Sequence, residues 1–437
     1  MSIHTEVEQT AKISSSGWLS HAQVWTDLGW GLCFVLFLGF SPRLFHLQEY
    51  VFFFLLGLGV VFCLWRGQTL QSLKMNSAVT VPFLCFVGWV ALTIPFSIDP
   101  LESLKEWQKV VAQLAVFYGT CLIAREQKAE SFCHKILAAM VVGTILCCTY
   151  SLVDFVERGG NIWDRNIRAG FPLADGPDFT WLSTNVLMVL PVFGIALYLA
   201  QSALQRLVLG IAILLSMLGL VFSYTRGVWL GFLAQIVLAI WLLNKKMGWW
   251  ILGVGGILGV GLVVVVASQG LHRETFDPWT VKARLAVWEM SVVDVLDHPL
   301  TGVGYGVPIF QKRHAEHIAH LEMIETGIPD IPEKPHNWYL MIAMGTGFPG
   351  LALFIWLLAK VWESLWTGFH HANFLKQRYW MLGTLLMATG FFVRLFFDDS
   401  FGGSHSYLFW IFVGLAIVLV QQKSLTEIDP NPSSTFH

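Results

Sequence analysis

Two arginines and one histidine of this sequence have side chains that suit chemistry on an anion. Arg226 lies in a short turn between two apolar segments, and Arg284 lies in a long polar stretch. A guanidinium group binds phosphate through two parallel hydrogen bonds. His336 stands where the sequence becomes apolar again, and an unperturbed pKa of about 6.5 suits a base that removes a hydroxyl proton. The three residues therefore predict anion binding and general-base chemistry.

Each of these residues also has a structural interpretation. Arg226 alone is equally consistent with an arginine that reaches lipid headgroups, and Arg284 with a solvated surface charge. His336 beside aromatic residues fits an interfacial histidine that hydrogen-bonds a neighbour. Asp398 and Asp399 are adjacent acids that could orient a histidine or pair with an arginine, but capping a helix in water is slightly favoured. Taken singly, the residues leave these alternatives open.

The composition decides which elements must position these residues. Of the 437 residues, 55% are hydrophobic and only 13% are charged, whereas soluble domains carry about 25% charged residues. About twelve apolar segments are present, several of them close to the ~20 residues that a spanning helix needs. The chain is therefore predicted to be an all-α polytopic integral membrane protein with about twelve transmembrane helices. The segments are 27–41, 50–65, 77–97, 109–124, 134–156, 179–200, 206–224, 227–243, 249–268, 337–359, 379–397 and 405–421.

The lysines and arginines of the short loops predict the orientation, because cytoplasmic loops carry an excess of them. With the N-terminus inside, the long polar loop faces outward, which in a bacterium is the periplasm. The predicted order is a cytoplasmic segment 1–26, nine spans in 27–268, a large periplasmic loop 269–336, three spans in 337–421 and a cytoplasmic tail 422–437. The first residues are polar, so we expect no cleavable signal peptide.

Neither a metal nor a cofactor is expected from the residue pattern. The seven cysteines lie in or beside the early spans, and no Cys/His spacing resembles a zinc site. His314, His317 and His320 are spaced by three, so the first and third diverge on a helix and a solvated face is favoured. The glycine-rich stretch 299–306 lacks the Gly-Lys-Ser/Thr of a phosphate-binding loop. A net charge of −2 gives no reason to expect a nucleic-acid partner.

The ordered motifs resemble the O-antigen ligase and O-antigen polymerase superfamily. Ser-Tyr-Thr-Arg-Gly-Val-Trp at 223–229 is similar to its Ser-x-x-Arg-Gly-x-Trp turn, and 284–306 to its Arg-x-x-x-Trp…Pro-Leu-x-Gly-x-Gly stretch. Residues 336–340 resemble its His-Asn-x-x-Leu, and 97–105 resembles an early outer loop of the family. The resemblance covers about 97–400. Threonine precedes the turn arginine where the family more often has serine.

This resemblance implies a GT-C-like fold and an enzyme that moves a glycan from undecaprenyl diphosphate to an acceptor. Carried over by motif, Arg226 and Arg284 would bind the diphosphate, and His336 would activate the acceptor hydroxyl. Asp399 or Asp398 would take the place of an aspartate that matters in related ligases.

Asn337 and Arg168 are further candidates for orienting the site. Asn337 follows the predicted base directly, and Arg168 lies in a charged outer loop at 157–178 that could frame a substrate entrance.

The expected function is that of an O-antigen ligase, which joins polysaccharide to lipid A–core at the periplasmic face of a bacterial inner membrane. The expected partners are the undecaprenyl-diphosphate-linked donor, the lipid A–core acceptor and membrane lipids. Direct, metal-independent attack predicts inversion at the anomeric carbon.

Two alternatives stay open. An O-antigen or exopolysaccharide polymerase, or a protein O-oligosaccharyltransferase, would use the same donor with a growing glycan or a protein as acceptor. A membrane transporter is the alternative from another class, but the polar groups gather on one predicted face and the spans contain few ionisable residues.

Overall fold

Helices make up nearly all of the computed structural model. It describes residues 21–65, 78–126, 129–161, 167–174, 176–243, 278–324, 334–372, 374–399 and 401–426. The helices before the long loop are α1 His21–Leu38, α2 Phe45–Trp65, α3 Thr80–Thr93, α4 Pro100–Glu126, α5 Ala129–Glu157, α6 Phe179–Leu199, α7 Ala203–Phe222 and α8 Arg226–Leu242. The helices within and after the long loop are α9 Pro278–Asp297, α10 Val307–Ile324, α11 Trp338–His371, α12 Leu375–Arg394 and α13 Ser404–Thr426. Short 3-10 turns at Pro42–Leu44 and Ile94–Phe96 and a hairpin of β1 Phe171–Leu173 and β2 Gly176–Asp178 complete the described elements.

The predicted class of an all-α polytopic membrane protein agrees with these helices. Among the described residues, α5, α6, α7, α11 and α13 are long and apolar enough to cross a membrane, and α1, α2, α3 and α8 contain shorter apolar helices. Helices α4 and α12 also coincide with predicted spans. The predicted span 249–268 lies outside the described residues, so the number twelve and the GT-C-like arrangement stay predictions.

The predicted outer loop contains two ordered helices. Apolar side chains of α9 and α10 pack against the first turns of α11 in a separate small core. The buried members include Val287, Met290, Ile309, Phe310, Met341 and Met344. His314 is buried, and its Nε2 lies 2.7 Å from Asp294 Oδ2. The prediction that the histidines form a solvated helix face is therefore wrong for His314. The side chains of His317 and His320 lie outside those described.

The glycine-rich stretch 299–306 is a structural junction between this loop and α11. Its main chain is hydrogen-bonded to α11, because the Val303 amide donates to the Met344 carbonyl at 2.9 Å and the Phe348 amide donates to the Pro299 carbonyl at 2.8 Å. At this contact α11 is kinked at Gly347, where φ is +71°. The glycines therefore allow two main chains to touch.

Buried hydrogen bonds of Gln113 on α4 fix the end of the segment that follows α12. The Gln113 amide donates to the Phe401 carbonyl at 3.1 Å, and the Trp410 indole donates to Gln113 Oε1 at 3.2 Å. An unpaired amide in this apolar interior would cost free energy, so the paired glutamine specifies one position for Phe401. The segment between Arg394 and Phe401, which carries the two adjacent aspartates, is anchored at its end.

Substitution of Gly302 by alanine is expected to destabilise the protein by clearly more than the ~1–2 kcal/mol that a left-handed backbone costs a non-glycine residue. Gly302 has φ of +68°, and an added Cβ would overlap the main chain of Met344, Gly345 and Thr346. Thermal unfolding of the purified protein in detergent measures the effect.

The matched control is Gly159→Ala, since Gly159 has φ of +80° but open space around an added Cβ. Equal losses of stability in the two variants would contradict the close main-chain contact.

Candidate active site

His336 is held in an unusual backbone conformation at the start of α11. Its φ is +48°, a left-handed value that costs most residues free energy and that occurs preferentially at functional sites. Contacts on both sides fix it: the Trp288 indole donates to the Pro335 carbonyl at 2.7 Å, and the Trp338 amide donates to the Leu395 carbonyl at 2.8 Å. The side chain of His336 is thereby aimed at the segment that follows α12.

Asn337 begins α11 as its N-terminal cap. Its side-chain Oδ1 accepts a hydrogen bond from the Leu340 amide at 3.1 Å. This contact satisfies one of the free amides of the first helical turn, which typically contributes about 1 kcal/mol. Asn337 therefore supports the position of His336 through the backbone.

The two adjacent aspartates face the histidine. His336 Nδ1 lies 3.7 Å from Asp398 Oδ1 and 3.9 Å from Asp399 Oδ1. These distances are too long for hydrogen bonds but allow strong attraction once the imidazole is protonated. The aspartate side chains are only 5% and 11% exposed, so the favoured expectation that they cap a helix mouth in water is wrong.

Arg394 fixes the position of Asp398. Its guanidinium group donates a hydrogen bond to Asp398 Oδ2, and Nε donates to Thr184 Oγ1 at 3.3 Å. The arginine side chain is 2% exposed, and a buried arginine of this kind needs a carboxylate partner. The opposite oxygen, Asp398 Oδ1, accepts the Asp399 amide at 2.9 Å and faces His336.

Lys334 forms a second ion pair, with Asp399. Lys334 Nζ lies 2.8 Å from Asp399 Oδ2. Burial lowers the pKa of Lys334, but Asp399, Asp398 and Asp178 outweigh this effect, so the pKa lies above its usual value. Burial and the neighbouring Asp398 raise the pKa of Asp399, against the opposing effect of Lys334. The pair ties the segment before His336 to the segment after α12.

Arg226 is the first residue of α8 and is exposed. Tyr224 precedes it by two residues and, like His336, has a φ of +48°. The residue after Arg226 is Gly227, where an added Cβ would lie 2.6 Å from Phe397 Cβ and 2.8 Å from a terminal nitrogen of Arg394. The glycine thus brings the start of α8 against the segment that carries the aspartates.

Arg284 and Arg168 lie close enough to Arg226 for their charges to interact. Burial lowers the pKa of Arg284; nearby Asp398 opposes this change, and the positive charge of Arg226 adds to it. Burial and Arg226 likewise lower the pKa of Arg168. Arg168 is fixed over the ring of Phe179 at 4.7 Å, and the next residue's amide donates to the Phe222 carbonyl at 2.9 Å.

The three arginines form a cationic cluster, by which we mean Arg168, Arg226 and Arg284. Within the part of the chain that the structure describes, none of their side chains has an ion pair or a side-chain hydrogen bond. Like charges repel, and partly buried ones do so more strongly than solvated ones. An arrangement of this kind is complementary to an anion with more than one negative charge.

A metal ion is a second possibility for the acids alone. His336, Asp398 and Asp399 offer ligand atoms that all lie within 4.8 Å of one another. The two carboxylates, however, already pair with Arg394 and Lys334, so their charge is neutralised by the protein. A site without metal stays a prediction.

An apolar groove of about 880 Å³ descends from this site between α8 and α12. Its walls include Leu230, Leu233, Val237, Trp241, Val393 and Phe396, and its lining also includes Trp288 and Asn337. Leu230 comes one turn after Arg226, and the wall from Leu230 to Trp241 is about 16 Å long at 1.5 Å per residue. The groove therefore leads from the polar cluster along the apolar helix α8.

Arg394 and Lys334 are site residues that the sequence motifs did not indicate. Arg394 precedes Asp398 by four residues, a spacing at which oppositely charged side chains often meet, and this signal could have identified the pair. Lys334 carried no comparable signal, because its partner lies 65 residues later and is brought near by the fold.

None of the curated proteins with which the chain was compared matches it. Residues 211–355 match the family model described as O-antigen ligase. The matched range begins in α7, ends in α11 and contains Arg226, Arg284 and His336. The expected superfamily is thus supported by a comparison independent of the site geometry, since residues 211–355 are similar to the O-antigen ligase family.

Proposed function

We propose that this protein is an O-antigen ligase that transfers a glycan from undecaprenyl diphosphate to lipid A–core at the periplasmic face of a bacterial inner membrane. The observation that carries the proposal is the cationic cluster next to His336 and its two aspartates. Lipid-linked diphosphate presents several negative charges at one place, and the cluster presents positive charges without ion-pair partners among the described residues.

The cationic cluster would act on the leaving group. Negative charge grows on the diphosphate as its bond to the sugar breaks, and fixed guanidinium groups stabilise that charge more than they stabilise the ground state. Arg226 and Arg284 lie in the two motifs that resemble those of the family. Arg168 adds a third guanidinium group, which lies over the ring of Phe179.

The apolar groove beside the cluster supports a lipid-linked donor. It contains no charged residue in its lining, and burial of hydrocarbon there is favourable by roughly 25 cal/mol per Å². A polyprenyl chain in the groove between α8 and α12 would place its diphosphate near Arg226, one turn beyond Leu230. The same anchor would hold the anomeric carbon near the start of α11.

His336 would remove the proton from the acceptor hydroxyl. Its Nδ1 faces Asp398 and Asp399, which leaves Nε2 for the hydroxyl. The acceptor oxygen forms a bond to the anomeric carbon, the bond to the diphosphate oxygen breaks with its electron pair, and the proton moves to Nε2. Asp398, held by Arg394, stabilises the resulting imidazolium. This single displacement inverts the anomeric configuration.

A polymerase of O-antigen or exopolysaccharide, or a protein O-oligosaccharyltransferase, would use the same donor site. Purified protein incubated with the lipid-linked donor and with each acceptor class in turn distinguishes these functions. Substrate flux in proteoliposomes without any acceptor would instead support a transporter.

His336→Ala is expected to lower kcat for glycan transfer by about 10²–10⁴-fold, the usual contribution of a positioned base. Transfer is measured in vitro from the appearance of capped lipopolysaccharide on gels. Binding of the donor should be retained, because the lipid chain and the diphosphate contact other residues.

The control is His298→Ala, since His298 is an exposed histidine of the same loop. If the His336→Ala protein transferred glycan as fast as the His298→Ala protein, His336 would not be the base.

Alanine at Arg168, Arg226 or Arg284 is expected to weaken donor use, with KM for the donor higher or kcat/KM lower by roughly 10-fold or more. A hydrogen bond to a charged group contributes about 1.5–3 kcal/mol, which corresponds to such a factor. Inorganic pyrophosphate should inhibit the wild-type enzyme in competition with the donor and should inhibit each variant less.

Arg43→Ala serves as the control, because Arg43 is exposed and lies outside the candidate site. If pyrophosphate inhibits all four variants as strongly as it inhibits the wild type, the cationic cluster does not bind the diphosphate.

A further inference from the structure

The residues around His336 cross the segment after α12 in an antiparallel arrangement, with a contact at each end. At one end Lys334 Nζ lies 2.8 Å from Asp399 Oδ2. At the other end the Trp338 amide donates to the Leu395 carbonyl at 2.8 Å. Each contact lies two residues from His336, so the candidate base occupies the middle of a turn that is held at both ends.

The two contacts differ in the atoms that form them. The bond between Trp338 and Leu395 joins main-chain atoms, so it does not depend on which side chains are present. The contact between Lys334 and Asp399 joins two side chains and depends on their opposite charges. Lys334 is therefore the residue whose side chain holds the path of the chain into His336. The φ of +48° at His336 costs free energy and persists only where surrounding contacts maintain it.

Lys334 also balances the charge of the second aspartate. Asp399 is largely buried beside Asp398, and its Oδ1 lies 3.9 Å from His336 Nδ1. Burial and Asp398 raise the pKa of Asp399, whereas Lys334 lowers it. Two adjacent buried carboxylates repel each other unless each has a cation nearby, and Arg394 already pairs with Asp398. The ammonium group of Lys334 therefore favours the ionised form of Asp399 and binds its Oδ2, which leaves Oδ1 facing the histidine.

We propose that Lys334 is a positioning residue for the base His336: by binding Asp399 it holds the turn against the segment after α12 and aims the imidazole at its aspartates. This inference rests on the proposed function, because it names a residue that acts through the base of that reaction. In this role Lys334 contacts neither substrate. Loss of the ion pair should slow the transfer of the glycan and leave donor binding to the cationic cluster.

The first test separates the rate of transfer from donor binding. Lys334→Met removes the ammonium group and keeps most of the apolar stem. It should lower kcat for glycan transfer by about tenfold or more, since a displacement of about 1 Å can cost a reaction ~10²-fold in rate. KM for the donor should change by less than about twofold, because the diphosphate and the lipid chain are bound elsewhere. Lys334→Arg should retain most of the activity, because a guanidinium group can also pair with Asp399.

A double-variant cycle tests whether Lys334 acts through Asp399. Asp399→Asn should lower kcat as Lys334→Met does. The protein with both changes should be no slower than the slower single variant, because residues that act as one unit lose their shared contribution only once. Losses of kcat that multiply in the double variant would contradict the inference.

Chemical restoration of the charge excludes a fold defect. The Lys334 side chain is 39% exposed, so a cysteine at this position is accessible to alkylation. Lys334→Cys protein treated with bromoethylamine regains an ammonium group at nearly the original length and should recover kcat, whereas treatment with neutral iodoacetamide should not restore it. Equal kcat after the two treatments would overturn the inference. Wild-type protein treated in the same way controls for the native cysteines, of which Cys85 is exposed.

The matched control is Lys312→Met, which breaks another ion pair of the same loop. Lys312 Nζ lies 2.7 Å from Asp99 Oδ2, and the lysine side chain is exposed. Loss of such a surface pair should leave kcat within about twofold of the wild-type value. Equal losses of kcat in Lys312→Met and Lys334→Met would overturn the inference, because general anchoring of the loop would then explain both.

The outcome for Lys334 can be distinguished from the outcome for the proposed function. If Lys334→Met keeps the wild-type kcat while His336→Ala loses it, the inference fails and the proposed glycan transfer stands. If the wild type transfers no glycan and does not bind inorganic pyrophosphate, the proposed function fails and the inference fails with it.

Discussion

The buried pairing of Arg394 with Asp398 is the interaction on which the site depends. Removing water from an arginine and a carboxylate is costly, and the pair is favourable only when both partners are placed accurately. Thr184 on α6 accepts a hydrogen bond from Arg394, and Gly227 on α8 packs closely against Arg394 and Phe397. These contacts fix the position of the pair. Three helices from different parts of the chain therefore meet at one ion pair, whose outer carboxylate oxygen faces His336.

The polar site is built on strained or closely packed backbone at several points. Tyr224 and His336 are the non-glycine residues of the described chain with left-handed φ values, and one precedes the cationic residue of α8 while the other is the candidate base. Each costs about 1–3 kcal/mol, which the surrounding contacts must offset. A left-handed residue at or just before the start of a helix sets the direction of the side chains there, which a site of defined geometry requires.

The sequence was sufficient for the class of fold, and its local motifs indicated which residues to compare with the structure. Arg226, Arg284 and His336 each lie in a short motif of the sequence, so they could be singled out as candidates without a structure. The environment of Asp398 and Asp399 was not predictable in the same way, because burial is decided by packing of α6, α8 and α12. Lys334 was missed since its partner is distant in sequence, and α9 and α10 are amphipathic helices whose apolar sides become interpretable only when α11 is placed against them.

The junction between the glycine-rich stretch and the kink of α11 also constrains how substrates reach the site. Three main-chain hydrogen bonds join these segments, from the amides of Val303, Gly304 and Phe348, and each contributes about 1 kcal/mol and more if it would be left unpaired. The helical loop is thus attached to the bundle at its base and is not free to lift away as a whole. Trp288 of this loop also lines the apolar groove between α8 and α12, so a lipid chain in that groove would meet the loop as a fixed wall.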